Sequence, residues 1–442
     1  LTFPAQDAGV SPKDINARFG GAYDLFGNGK SSLKASLGRY PTPDNSYGAY
    51  GFLQQPAFRV ATNTTRAWND SFFPVGDPRR GNFRPDCVLT NQAANDECGP
   101  GNPNFGKAAP FQTYDPNVLS GWNVREYSWD LSVGVQQEVA PRTSVEVTYV
   151  RRSWGNQTVT DNRAYSRADY DRFSITAPTD SRLPDGGGYR LDGIYELKTD
   201  RAFGLLDNFI THAKNFGDGI TERNNSVDIN VNSRLRNVQM QGGVGFTKNT
   251  RNDCEVVSQV PESLTVFGFR RPEQFCDLSS GWLTSMGGLA SYVVPKIDVQ
   301  VSATFQSRPF AGGNFPGIDT QSLLANALLF NTNFPGLPAN YPSIVGSLGR
   351  PLSGNAPVTF VNVVEPGTVY GDRLNQVDLR VSKILRFGGR RANVGVDLFN
   401  LFNSSAVYQY FQLYDPTRPQ AWLQPTSLVS ARFAKLSVQL DF

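Results

Sequence analysis

At 442 residues the chain exceeds an ordinary single soluble domain, yet no linker-like composition shift divides it, so one large architecture is expected. A formal net charge of +3, without a concentrated basic segment, argues against a nucleic-acid partner. With 42 glycines, 12% aromatic residues and a mean hydropathy of −0.36, the composition suits a sheet-rich protein with polar loops. No apolar run is long enough for a membrane-spanning helix, although a membrane strand needs only about ten residues with alternate ones apolar.

Alternation of that kind begins early. Ile15, Ala17, Phe19, Gly21, Tyr23 and Leu25 alternate with more polar neighbours, Phe26-Gly27-Asn28-Gly29-Lys30 turns the chain, and Leu33, Ala35 and Leu37 return it. From about Pro41 to Arg125 no sustained pattern exists, and so long a loop is usually functional. Trp129 to Val135 and Val145 to Tyr149 form the next hairpin around Pro141-Arg142, and an irregular stretch from Trp154 to about Gly219 holds one short strand near Tyr189 to Leu197. Val227 to Val231 and Val238 to Thr247 pair across Arg236-Asn237, followed by a cysteine-bounded loop, 251–280. Leu283 to Val294 and Ile297 to Phe305 turn at Pro295-Lys296, and a further loop spans Arg308 to Arg373. Val377 to Ser382 and Val394 to Leu398 meet at Gly388-Gly389-Arg390-Arg391, and a last loop leads to a strand carrying Leu436, Val438, Leu440 and Phe442 on one face.

This makes about eleven antiparallel strands, with every short turn at one end and every long loop at the other. That asymmetry is the signature of an all-β transmembrane barrel of the bacterial outer membrane, with short periplasmic turns and long extracellular loops. Parity places Phe442 at the periplasmic rim. Trp122, Trp129, Trp154, Trp282 and Trp422 all map near the opposite rim, as an aromatic girdle requires. The rival is a soluble β-sandwich with its apolar face inward. Strand length, segregation of loops by length, and a second face rich in Asp, Asn, Arg and Gln count against it.

Enzymatic signals are weak. Gly29-Lys30-Ser31 resembles the end of a phosphate loop, but the glycine needed five positions before Gly29 is Asp24, and a hairpin turn explains the motif. Gly243-Val244-Gly245 lacks the third glycine of a dinucleotide fingerprint, and His212, the single histidine, has no nucleophile-elbow motif with it. No enzyme activity and no cofactor is expected. The four cysteines form two local pairs, Cys87 with Cys98 and Cys254 with Cys276, which suggests disulfides in an oxidising compartment; a metal site is the alternative. Asp86, Asp96 and Glu97 beside the first pair are candidate Ca²⁺ ligands, although no known loop spacing accompanies them. The chain starts at Leu1 without a leader, which reads as a mature or truncated piece.

The segments Asn375 to Lys383, Asp397-Leu398-Phe399-Asn400-Leu401-Phe402-Asn403, and Ala431 to Leu436 resemble the C-terminal barrel of TonB-dependent outer-membrane receptors. With Arg18 to Gly27 and Asp169 to Phe173, they are more narrowly similar to the Oar-like group. The resemblance implies a 22-stranded barrel around an N-terminal plug that carries the TonB-binding box. Residues 1–442 would then be the C-terminal half of one barrel domain, with plug and first strands absent. It also implies uptake of a scarce extracellular substrate (metal chelate, oligosaccharide or peptide), with the TonB system, membrane lipid and the outer-membrane assembly machinery as partners. Leu436, Val438, Leu440 and Phe442 look like the signal that machinery reads. The capture candidates are Trp68, Phe72, Phe73, Arg79, Arg80 and Arg84 in the first loop, and Tyr165, Tyr170 and Tyr189 in the second, because aromatic faces stack on ligand rings and arginines pair with anions. The alternative function is a surface adhesion or signalling barrel that binds protein or polysaccharide without transport.

Overall fold

The computed structural model describes residues 10–43, 66, 68–101, 105–107, 112–198, 205–266, 269–309, 326–330, 344–353 and 358–441. Phe442 lies outside them. Its frame is one antiparallel sheet of eleven consecutive strands, with the short segment Asp277–Ser279 added beside the sixth. In order they are β1 (Arg18–Asp24), β2 (Ser31–Pro41), β3 (Tyr127–Ala140), β4 (Thr143–Gly155), β5 (Thr221–Leu235), β6 (Val238–Asn252), β7 (Leu283–Val294), β8 (Val299–Arg308), β9 (Leu374–Phe387), β10 (Arg390–Phe399) and β11 (Phe433–Asp441). Each strand pairs with its sequence neighbour, so sheet order is chain order.

The turns are those the sequence predicts. Pro141 and Arg142 alone connect β3 to β4, with Arg142 at φ 62°, and Gly388 and Gly389, at φ 54° and 79°, connect β9 to β10. Two positive φ values in a two-residue loop match the right-handed twist of the flanking strands. All five turns lie at one end, and the described parts of the connections 42–126, 156–220, 253–282, 309–373 and 400–432 lie at the other.

Register carries the apolar set from strand to strand without a break. Leu33 faces Val135, Val135 faces Val147, Val147 faces Ile229, and Ile229 faces Val244. Beyond β6 the band continues through Met286, Phe305 beside Val377, Val381 beside Val396, and Val396 beside Leu436. Among the described residues nothing covers this face: Val147 is 44% exposed, Val381 42% and Leu436 82%. Eleven strands at about 4.8 Å spacing and a band about 25 Å tall give on the order of 1,200 Å². The largest apolar patch on a soluble monomer is about 300–600 Å². The opposite face is polar and internally paired, with Lys34 to Glu146 at 3.0 Å, Arg152 to Asp130 at 2.5 Å, and Arg380 to Asp397 at 3.3 Å. On that face a Cβ at Gly243 would lie 2.3 Å from Asn230 Oδ1, and one at Gly245 2.6 Å from Asp228 Oδ1, so glycine lets these side chains lie flat across the next strand.

The buried cores lie in the loops rather than between sheet faces. Phe173, Ile175, Leu191 and Ile194 from loop 156–220 pack with Phe275 and Leu278 from 253–282, Val361 and Val363 from 309–373, and Tyr414 and Trp422 from 400–432. Stretches that read as irregular therefore contain short sheets, among them the hairpin of Tyr170–Thr176 with Arg190–Leu197 and the set formed by Gln112–Tyr114, Asn208–His212 and Thr158–Asn162. Two of the five girdle tryptophans are corrected. Trp422 is 2% exposed inside the loop core, and Trp154, opposite Glu222 in the register, belongs to the polar face beside Arg152. Trp129 keeps the apolar-face parity, and Trp122 and Trp282 are exposed near the loop end.

A charge at the centre of the apolar band tests which solvent it meets. Val147→Lys should destabilise the vesicle-inserted protein by about 2–4 kcal/mol and Gln241→Lys on the polar face by about 1 kcal/mol or less, read by denaturant unfolding; equal costs would contradict a hydrocarbon-facing band.

Candidate functional site

The described loops line an open-mouthed cavity of about 730 Å³, within the range of pockets that take small organic ligands. Thr158–Asn162 and the Tyr170–Leu197 hairpin region form one side. Helix α1 (Cys254–Gln259) and the turn Pro261–Leu264 form the other. The third loop is fixed here by the Cys254–Cys276 disulfide and by Asp253, whose backbone N–H donates to Cys276 O at 3.0 Å. Asp253 is 4% exposed, and its Oδ2 pairs with Arg271 at 2.7 Å and with Arg251 at 3.4 Å. On the opposite wall Glu196, 3% exposed, holds Arg270 at 2.5 Å, and Arg270 also donates to Thr359 Oγ1 at 2.9 Å. These ion pairs are neutralised and fixed in place, so they shape the wall.

Glu262 differs from them. Its Oε1 accepts the Asn162 N–H at 2.8 Å and it faces the Tyr170 phenol, but burial and then the nearby Asp161 push it above its ordinary 4.5. Burial, then Glu262, raises the Tyr170 phenol too. The Tyr165 ring meets that of Tyr170 edge-on at 6.3 Å, and the Tyr165 hydroxyl accepts the Leu205 N–H at 2.9 Å. Leu205 and Leu206 leave apolar surface in the lining. The arrangement offers aromatic edges, apolar contacts and one half-buried carboxyl, which is binding chemistry.

Of the capture candidates, Tyr165 and Tyr170 line this cavity and Tyr189 does not. Tyr189 packs against the loop core and donates to Val363 O at 2.6 Å, with burial pushing its phenol up to about 12. The first-loop group sits on a separate knob stapled by Cys87–Cys98, and none of it lines the cavity. There Phe73 is 6% exposed beneath the Arg79 guanidinium at 3.5 Å, so Phe73 is a packing residue. Arg79 pairs with Asp77 at 2.7 Å and holds that carboxyl at about 2; Arg80 donates to Phe73 O at 2.6 Å and to Ser71 O. Trp68 donates through Nε1 to Glu97 Oε2 at 3.0 Å, and Phe72 and Arg84 are exposed. Asp86, Asp96 and Glu97 do not converge as a Ca²⁺ cage: among the described residues no group of three or more His, Cys, Asp or Glu side chains could hold a metal. The residues that sequence reasoning missed are Glu262, Glu196, Arg270 and Asp253. Their only advance signal is a concentration of both charge signs within a cysteine-bounded loop.

Two measurements follow from this geometry. With sequence separations of 11 and 22, each disulfide should contribute about 3 kcal/mol, so Cys254→Ser with Cys276→Ser should loosen the third loop by that amount in hydrogen exchange; four reactive thiols in the untreated protein would contradict both bridges. Because the folded Glu262 carboxyl lies above its unfolded value, its contribution is fully present below about 4.5 and is lost as pH rises through the folded value. Glu262→Gln should therefore flatten the decline of the loop layer's thermal midpoint between about pH 4 and pH 8, and an unchanged slope would show that the carboxyl is not the titrating group.

No family model matches the sequence, and no curated protein matches it. Among solved structures, the FrpB iron transporter from Neisseria meningitidis (F3-3 variant) matches with 9% identity over 96% of this chain and 38% of that chain, at a TM-score of 0.40. The siderophore receptor PirA from Acinetobacter baumannii matches with 10% identity over 96% and 40%, at 0.38, and the copper transporter OprC with 8% over 97% and 39%, at 0.36. The chain thus spans about two fifths of the length of these structures.

Proposed function

We propose that this chain is the C-terminal part of the wall of a TonB-dependent receptor in the bacterial outer membrane, which takes up a scarce substrate captured by the loop layer. The observation that carries the reading is the uncovered apolar band running in register through all eleven strands, with a paired polar face behind it. Lipid satisfies the first face and a water-filled, plug-occupied interior the second. The motifs from Asn375 to Lys383 and Asp397 to Asn403 add the family resemblance.

β1 and β11 each have one strand partner among the described residues, and a sheet edge with unpaired backbone groups is not tolerated in hydrocarbon. The complete receptor supplies the missing partners on both sides, and with them the plug through which TonB acts. Leu436, Val438 and Leu440, all more than half exposed on β11, form the segment offered to the assembly machinery. Substrate enters through the cavity beside Tyr165 and Tyr170, with the polar face lining the route inward.

The test is a strain lacking the complete gene, complemented with wild type or Tyr165→Ala, and supplied in turn with labelled ferric chelates, oligosaccharides and peptides. One class should accumulate only with the gene and with TonB, and Tyr165→Ala should weaken its capture roughly fivefold, the loss of about 1 kcal/mol of aromatic contact. Recovery of the complete protein in the soluble periplasm would sink the membrane reading, and accumulation independent of TonB would sink active uptake.

A further inference from the structure

The end of the sheet opposite the loops carries a concentration of basic side chains. Lys30 and Arg142 stand at the first two turns, and Arg234 and Arg236 at the third. Lys296 stands at the fourth, and Arg386, Arg390 and Arg391 at the fifth. All eight are exposed; Arg234, Arg386 and Arg391 keep the polar-face parity of their strands, with Arg386 paired to Asp298 at 2.7 Å, whereas Arg390 and the turn residues Arg142, Arg236 and Lys296 are free of that parity and border the apolar face. The acids at this level are Asp24, Glu138, Asp298 and Asp441, the last opposite Arg391 in the register. With Lys383, whose ammonium reaches the fourth turn, nine cations less four acids is +5, against +3 for the whole chain, so the remainder is net −2.

The same residues border the end of the apolar band. Val139 is 59% exposed at the bulge that ends its strand, Ile297 is 51% exposed in the fourth turn, and Phe387, 54% exposed, continues the apolar parity of β9. Arg390 sits directly opposite Phe387, and Lys383, exposed on the apolar face of β9, reaches back to Ile297 O. Apolar side chains that end in a row of long basic ones fit the junction of hydrocarbon and headgroups, where Lys and Arg stems lie along acyl chains and their charges reach the phosphates.

We propose that this turn-side rim binds the phosphate headgroups of anionic phospholipid in the adjoining leaflet. The inference rests on the membrane reading above. A lipid occupant is favoured over an acidic protein because the charge is distributed over five turns across the whole sheet and follows the edge of the exposed apolar band. A headgroup annulus is continuous in the same way, whereas an acidic peptide needs a converging cluster.

The complete protein, reconstituted into vesicles of phosphatidylcholine with a minority of phosphatidylglycerol, is probed with spin-labelled lipids of each class. Phosphatidylglycerol should occupy the protein-contacting shell with roughly two- to fivefold preference at low salt, falling toward parity in about 1 M salt. Arg236→Gln with Lys296→Gln and Arg390→Gln should abolish the preference, while Arg84→Gln with Lys107→Gln and Lys214→Gln at the loop end should leave it intact. Insertion without lipid preference overturns the inference and leaves the membrane reading standing; failure to float with either vesicle overturns both. Displacement of labelled phosphatidylglycerol by poly-glutamate at matched ionic strength, with the polymer then retained on the inserted protein, overturns it in favour of an acidic protein partner.

Discussion

Backbone hydrogen bonding decides the rest of this structure. An apolar surface of on the order of 1,200 Å² can stay uncovered only where the solvent is itself apolar, and there no peptide group can turn to water. Every strand must then find partners on both sides. The registers from β2 to β10 do this without a crossover, which forces the simple up-and-down order, the short turns and the gathering of all long connections at one end.

The polar face follows from the same constraint. Freed from packing a core, it carries ion pairs and amide networks such as Lys34 with Glu146 and Gln376 with Asp378. The core that a soluble protein would place between two layers is displaced into the loops, where four connections share one cluster. The molecule thus has two solvents and two organising rules. The wall is ordered by pairing with apolar contact outward, and the loop layer by burial of apolar side chains inward.

That division explains what the sequence disclosed. All eleven wall strands are legible because each has one greasy and one wet face, so period two survives, and because Asn-Gly, Pro-Arg and Gly-Gly mark the reversals. The loop strands lack that contrast. From Leu191 to Leu197 almost every side chain is buried, and the register slips at Gly193, where Glu273 leaves no room for a Cβ. Tyr165 and Tyr170 stood out as loop aromatics, but their partner Glu262 lies about a hundred residues on in another loop, beyond the reach of any local pattern. Trp154 and Trp422 misled for a related reason: nearness to a rim in sequence does not say which face a ring takes.

The contact between the second and last loops has a mechanical meaning. Arg182 stacks over Trp422 at 4.9 Å and donates to Trp422 O and Pro419 O, joining positions 237 and 240 residues apart, while Leu183 enters the same core. A clasp of this span means that the described loops cannot swing out one at a time like separate flaps. The described parts of the second, third, fourth and fifth loops are thus tied into a single plate, and displacing any one of them must break contacts with the others, with Arg182 and Trp422 as the latch between the second and the fifth.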